Sequence, residues 1–90
     1  MERLNIIEHA KERIKKRGTS IGEVEKVLEA GKEVKTDYEG RRAKEMVFSY
    51  NRKWQKKFYP EKKVKVIYRE EGEVITVITV YVYFGKWGEQ

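Results

Sequence analysis

Residues 74–84 read Val-Ile-Thr-Val-Ile-Thr-Val-Tyr-Val-Tyr-Phe, and their reading decides the fold. Every one of them is β-branched or aromatic, which suits a pleated, packed surface far better than a helix. Because both faces of the stretch are apolar, it is expected in the middle of a sheet. Val74–Phe84 should then be the central and longest strand, with Ile78 and Val80 deeply buried. Left bare at an edge, so apolar a strand would invite pairing with other chains.

Working back from it, Glu70-Glu71-Gly72-Glu73 reads as a hairpin connection. Lys63–Arg69 alternates, with Val64, Val66 and Tyr68 facing one way. Arg41–Tyr50 alternates as well, with Met46, Phe48 and Tyr50 on one side and Ala43, Glu45, Val47 and Ser49 on the other. Between these two strands, residues 51–62 (NRKWQKKFYPEK) are the least regular stretch and carry Pro60, so they read as a loop. Lys32–Tyr38 is a weaker strand, followed by a turn at Glu39-Gly40.

Further out, the period changes to that of a helix. Asn5 is the expected N-cap of a helix to about Arg17, with Ile7, Ala10 and Ile14 as its apolar stripe and Gly18 as its stop. Ser20-Ile21-Gly22-Glu23 matches a capping box, in which Ser20 accepts from the Glu23 backbone. A second helix follows, carrying Ile21, Val24, Val27 and Leu28 on one face and ending at Gly31. The expected fold is α+β: two N-terminal helices packed on a twisted four-stranded antiparallel sheet, ααββββ, a single domain over residues 1–90.

Composition bounds the function. The chain has 90 residues, 40% of them charged, and no cysteine, which excludes a disulfide scaffold, thiol catalysis and Cys-ligated zinc. With one histidine and scattered glycines, neither a metal site nor a phosphate-cradling loop is expected, and no cofactor. No stretch has signal-peptide or membrane-spanning character, so a cytoplasmic protein without a membrane partner is expected. Fourteen Lys and fourteen Glu against two Asn and two Gln give the bias of a thermophile.

The net charge of +6 is unevenly spread. Residues 1–40 are neutral and residues 70–90 carry −3, whereas residues 41–69 hold eleven cations against two acids. Trp54, Phe58 and Tyr59 are interleaved there with Arg52, Lys53, Lys56 and Lys57. Cations suit phosphates and flat rings suit exposed bases, so Arg41, Arg42, Lys53, Trp54, Lys56, Lys57 and Arg69 are candidate RNA contacts. Two other readings fit the same residues. An acidic protein would use the same patch, and lysines also keep a strand edge soluble while aromatics pack beneath it.

His9, Arg13 and Arg17 fall at i, i+4 and i+8 on the first helix and form one ridge. An imidazole can move protons near neutral pH, and guanidinium groups clamp phosphate oxygens. Cleavage of RNA by its own 2′-hydroxyl needs both. Tyr81 and Tyr83, which share a strand face with Thr79, could supply hydroxyls if the helix ridge lies across that face. Set against this, a lone histidine among glutamates and lysines is more often an ordinary surface residue.

The pattern His9-Ala10-x-x-Arg13-x-x-x-Arg17-Gly18-x-Ser20, then Val24, Leu28 and Gly31, resembles the opening of the DUF4258 family, a domain of unknown function. Gly40-Arg41-Arg42 and Val77-Ile78-Thr79-Val80-Tyr81 fit the rest of that pattern, while Thr19 stands where an aliphatic residue is usual. That family looks related to the RelE, ParE and BrnT toxins, whose helices pack on a curved antiparallel sheet and several of which cleave RNA. The resemblance implies a RelE-like scaffold, a metal-independent endoribonuclease of a toxin–antitoxin pair, and an acidic antitoxin-like partner. It points to His9, Arg13 and Arg17 as site residues. The alternative is a non-catalytic module that binds RNA or an acidic protein.

Overall fold

The computed structural model describes residues 3–37 and 39–87. Along the chain it has β1 (Arg3–Ile6), α1 (Glu8–Arg17), α2 (Ile21–Ala30), β2 (Lys32–Val34), β3 (Arg42–Trp54), β4 (Lys57–Glu71) and β5 (Val74–Gly85). The strands form one five-stranded sheet in the order β1-β5-β4-β3-β2. β1 runs parallel to β5, and the other neighbours are antiparallel.

The expected four-stranded antiparallel sheet, and with it the ααββββ order, is therefore corrected. The extra strand is Arg3–Ile6, in which Leu4 and Ile6 turn inward to pack against the core. Asn5 pairs with Thr76 inside this strand, and the N-cap of α1 is Ile7, whose backbone is extended and which makes no side-chain cap. Four residues of alternation ahead of a helical stripe read as its first turn, because nothing local reveals that Val74–Val77 lies alongside.

The centre of the sheet is β4, which is also the longest strand at 15 residues against 12 for β5. β5 is second from the edge. Val80 is fully buried as expected, but Ile78 is only partly so. The ladder pairs Ile67 with Thr79 and Tyr68 with Val77, leaving Ile78 as the extra residue of a bulge.

Residues 51–62 are not a loop either. β3 continues to Trp54, turns at Gln55-Lys56 and returns in β4. Both turn residues have left-handed backbones, with φ of 52° and 75°. That is the mirror-image turn that matches strand twist, made here without the usual Asn or Gly. Pro60 is tolerated because it lies opposite the register shift between Ser49 and Arg52, where no ladder bond is asked of it. β2 is shorter than the expected Lys32–Tyr38 strand, and Tyr38 lies outside the described residues.

Both helices cover one face of the sheet. Ala10 and Ile14 of α1 and Val24 and Val27 of α2 pack on Val64, Val66, Tyr68, Val77 and Val80, with Met46 and Phe48 at the margin. The helix junction is fixed by polar groups. Ser20 Oγ accepts from the Glu23 N–H at 3.2 Å, as the capping box requires. The Glu23 carboxylate accepts from the Thr19 hydroxyl at 2.8 Å and meets Lys62 Nζ at 2.7 Å. Lys62 also donates to the Gly18 carbonyl at 2.8 Å, so one buried ammonium ties α1, α2 and β4 together. Lys44 donates to the Leu28 carbonyl at 2.9 Å, bringing a cation to the C-terminal end of α2, whose own last turn has none.

Candidate nucleic-acid interface

β1 ends where the chain turns into α1, and its last backbone bond runs from the Ile7 N–H to the Val77 carbonyl. Beyond Val77 the outer edge of β5 has no neighbouring strand among the described residues. The C-terminal end of α1 lies beside that edge. Arg17 donates to the Val80 carbonyl at 2.8 Å, and its guanidinium lies 5.0 Å from the centre of the Tyr81 ring. Thus the structure brings Arg17 and Tyr81 together.

His9 stands eight residues earlier on the helix, about 12 Å away along the axis. It is exposed, and its Nε2 accepts from Arg13 Nε at 3.4 Å. The four candidate catalytic residues thus form two pairs, His9 with Arg13 on the α1 ridge and Arg17 at its end with Tyr81 of β5.

Next to Arg17 opens a cleft of about 290 Å³. Lys16 and Arg17 line it from α1, Trp54 and Gln55 from the tip of the β3–β4 hairpin, and β5 lines it from Tyr81 to Phe84. Four successive strand residues can line one cleft only if it opens across the strand edge, where both faces meet. Among the described residues, no acidic side chain lines it.

Trp54 has a structural part in this arrangement. Its ring stacks on Phe84 with centroids 4.8 Å apart and planes 14° apart, and Tyr50 and Tyr59 contact the same Phe84. Its outer ring edge covers Gly18, where an added Cβ would come within 2.9 Å of it. This stack closes the hairpin onto the α1–α2 junction and leaves less of Trp54 open to a base. The more open aromatic rings are Tyr83, 47% exposed, and Phe58, 54% exposed.

The basic segment divides in two. Arg42 is bound by the Glu33 and Glu70 carboxylates and lies against Tyr68, and Arg69 is 3.6 Å from Glu71. With Arg41, these belong to the end of the hairpin near the β4–β5 turn. Lys53, Trp54, Lys56 and Lys57 occupy the opposite tip, about 40 Å away along the strands. The seven candidate RNA contacts therefore do not form one surface. Lys53, Trp54, Lys56 and Lys57 share an end of the molecule with Lys16, Arg17 and Tyr81; Arg41, Arg42 and Arg69 do not.

At the other end, the Arg42 guanidinium bonds the Glu33 carboxylate through two nitrogens, at 2.9 and 3.0 Å. That hydrogen bonding holds the Glu33 carboxyl below its usual range and raises Arg42. Arg42 is a structural clasp between β2, β3 and β4.

Sequence reasoning missed Lys16 and Gln55 as cleft residues and gave Tyr83 only a passing role. Alternation does put Tyr83 on the face of Tyr81. The return of the hairpin tip onto α1, which makes the cleft, is written in no local pattern.

No helix among the described residues is long and apolar enough to cross a membrane. No curated protein and no solved structure matches the chain. The model of DUF4258, a domain of unknown function, matches residues 6–82, and with most of its length covered the chain belongs to the DUF4258 family.

Proposed function

We propose that this chain is an RNA-directed, toxin-like domain that holds single-stranded RNA in the cleft between α1 and the hairpin tip. The observation that carries the reading is the cleft lining, which combines Lys16 and Arg17 with Tyr81 and Tyr83 and, among the described residues, has no acid. One Arg17 nitrogen is committed to the Val80 carbonyl, and the rest of its donor fork is left for a phosphate. Lys53, Lys56 and Lys57 extend the cationic track along the tip, and the open ring of Tyr83 offers a stacking surface for a base.

Cleavage is the stronger form of the proposal. His9 Nε2 accepts a hydrogen bond from Arg13 Nε, so Arg13 must turn toward a phosphate before the imidazole lone pair can take a proton. In a metal-independent step His9 would take the 2′-hydroxyl proton and the 2′-oxygen would attack the adjacent phosphorus. The 5′-oxygen would leave with a proton supplied by an acid; the Tyr81 hydroxyl can fill that role only if the scissile phosphorus lies between the His9–Arg13 and Arg17–Tyr81 pairs, which stand about 12 Å apart along α1. Arg13 and Arg17 would stabilise the added negative charge of the phosphorane.

Labelled single-stranded RNA, incubated with EDTA and the parent, Lys16→Ala, Tyr83→Ala and His9→Ala proteins, tests both forms. The first two variants should bind at least tenfold more weakly, since neither residue supports the core. Absence of binding by the parent would overturn the reading. Cleavage by the parent that survives undiminished in His9→Ala would remove His9 from the mechanism.

A further inference from the structure

The outer edge of β5 forms one wall of the same cleft, and its backbone poses a question of its own. Val80 directs its carbonyl away from β4, toward Arg17. Backbone groups of alternate strand residues point the same way, so the N–H and C=O of Val82 and Phe84 also point outward. Arg17 satisfies one of these groups, and no strand among the described residues reaches the others.

The segment at this edge, Val80-Tyr81-Val82-Tyr83-Phe84, contains no charge and no proline. Natural sheets blunt such an edge with lysines, prolines or bulges, or cover it. Here the bulge lies before Val80 and the nearest cations, Lys16 and Arg17, stand beside the strand. We infer that this edge takes an extended, acidic peptide segment of another protein, which adds to the sheet as a strand beside β5.

Charge selects the occupant. Lys16 and Arg17, in the last turn of α1, line the cleft at the edge, Lys86 follows the strand, and among the described residues no acid lines the cleft. A second copy of this chain would bring another +6 and the same lysines to the contact. Main-chain bonds to Val82 and Phe84 would provide affinity. Alternate side chains would provide selectivity, carboxylates toward Lys16 and Arg17 and apolar groups over Tyr83. The inference does not require RNA binding, and its test measures the peptide alone.

The probe is a short blocked peptide alternating glutamate and valine, titrated into the full chain while backbone amide hydrogen exchange is followed. The Val82 and Phe84 amides should slow at least tenfold. A lysine–valine analogue, and a glutamate–valine peptide N-methylated at alternate residues, should give no such protection. Val82→Pro, which removes an outward N–H together with a side chain that packs at the margin of the core, should weaken binding at least tenfold. Should that variant misfold, the exchange data on the parent protein decide alone.

Protection elsewhere, or equal binding of the N-methylated peptide, would overturn the inference. So would protection of these amides in the protein alone with a dimer in sedimentation, because the occupant is then a second copy. Protection by oligouridine but not by the peptide would assign the edge to nucleic acid and overturn it as well.

Discussion

Lys62 offers a sharp test of how the helices are held to the sheet. Its side chain is 6% exposed, and it serves two acceptors, the Gly18 carbonyl and the Glu23 carboxylate. Lys62→Met keeps the volume of the stem and removes the charge. Breaking a buried ion pair costs about 3–5 kcal/mol when the remaining partner is sealed from water. Glu23 is 27% exposed and regains water, so its share is smaller, while the Gly18 carbonyl loses a charged donor worth about 1.5–3 kcal/mol. The expected cost of Lys62→Met is about 2 kcal/mol. Lys62→Ala also deletes three methylenes at about 0.8 kcal/mol each, which adds about 2 kcal/mol more. Urea unfolding followed by far-ultraviolet circular dichroism measures both, and the Met variant should melt about 8–16 °C lower in a domain this small. Adding Glu23→Gln to Lys62→Met should cost less than it does in the parent, since the pair is already broken. A Met variant within about 0.5 kcal/mol of the parent, the range of a surface substitution, would refute the reasoning.

Gly18→Ala should destabilise by about 1–3 kcal/mol, through its left-handed backbone and the Trp54 ring above it, and should change the Trp fluorescence of the folded protein. The Arg42–Glu33 clasp predicts a pH dependence: a carboxyl held below its ordinary value stabilises the fold above its unfolded pKa, and the gain is lost as pH falls through the folded one. The stability gap between the parent and Arg42→Met should therefore narrow on acidification below about pH 4.3; a constant gap down to pH 2 would contradict it. If the hairpin tip contacts phosphates, replacing Lys53, Lys56 and Lys57 together by Gln should flatten the log–log salt dependence of RNA binding by up to about two units. An unchanged slope would move the RNA site off the tip.

Much of the fold was legible in the sequence wherever a period runs long enough to be unambiguous. The Ala10 and Ile14 stripe, the Ser20 cap, and the alternation of Val64, Val66 and Tyr68 all occupy their expected places. Failure came where local and distant forces disagree. Arg3–Ile6 is a strand only because Val74–Val77 offers it an edge. Lys, Arg and Pro60 between residues 51 and 62 look like a loop until the bulge that accommodates the proline is known. The site was half legible for the same reason. Helical spacing found Arg17, but charge density along the chain could not distinguish Lys53 and Lys56 at an open tip from Arg42 and Lys62, whose charges are engaged inside the fold.

The parallel pairing of β1 with β5 also sets an order of assembly. Arg3–Ile6 and Val74–Val77 are separated by about 70 residues, so β1 has its place in the sheet only after β5 has been made. Closing a loop of about 70 residues costs an entropy near 4 kcal/mol, against only a few backbone bonds gained by so short a strand. That contact is therefore expected late in folding, after the β3–β4–β5 meander has formed from its local turns. Until then Val74–Val77 stands as a bare edge, and a nascent chain of this protein would be most vulnerable to mispairing there.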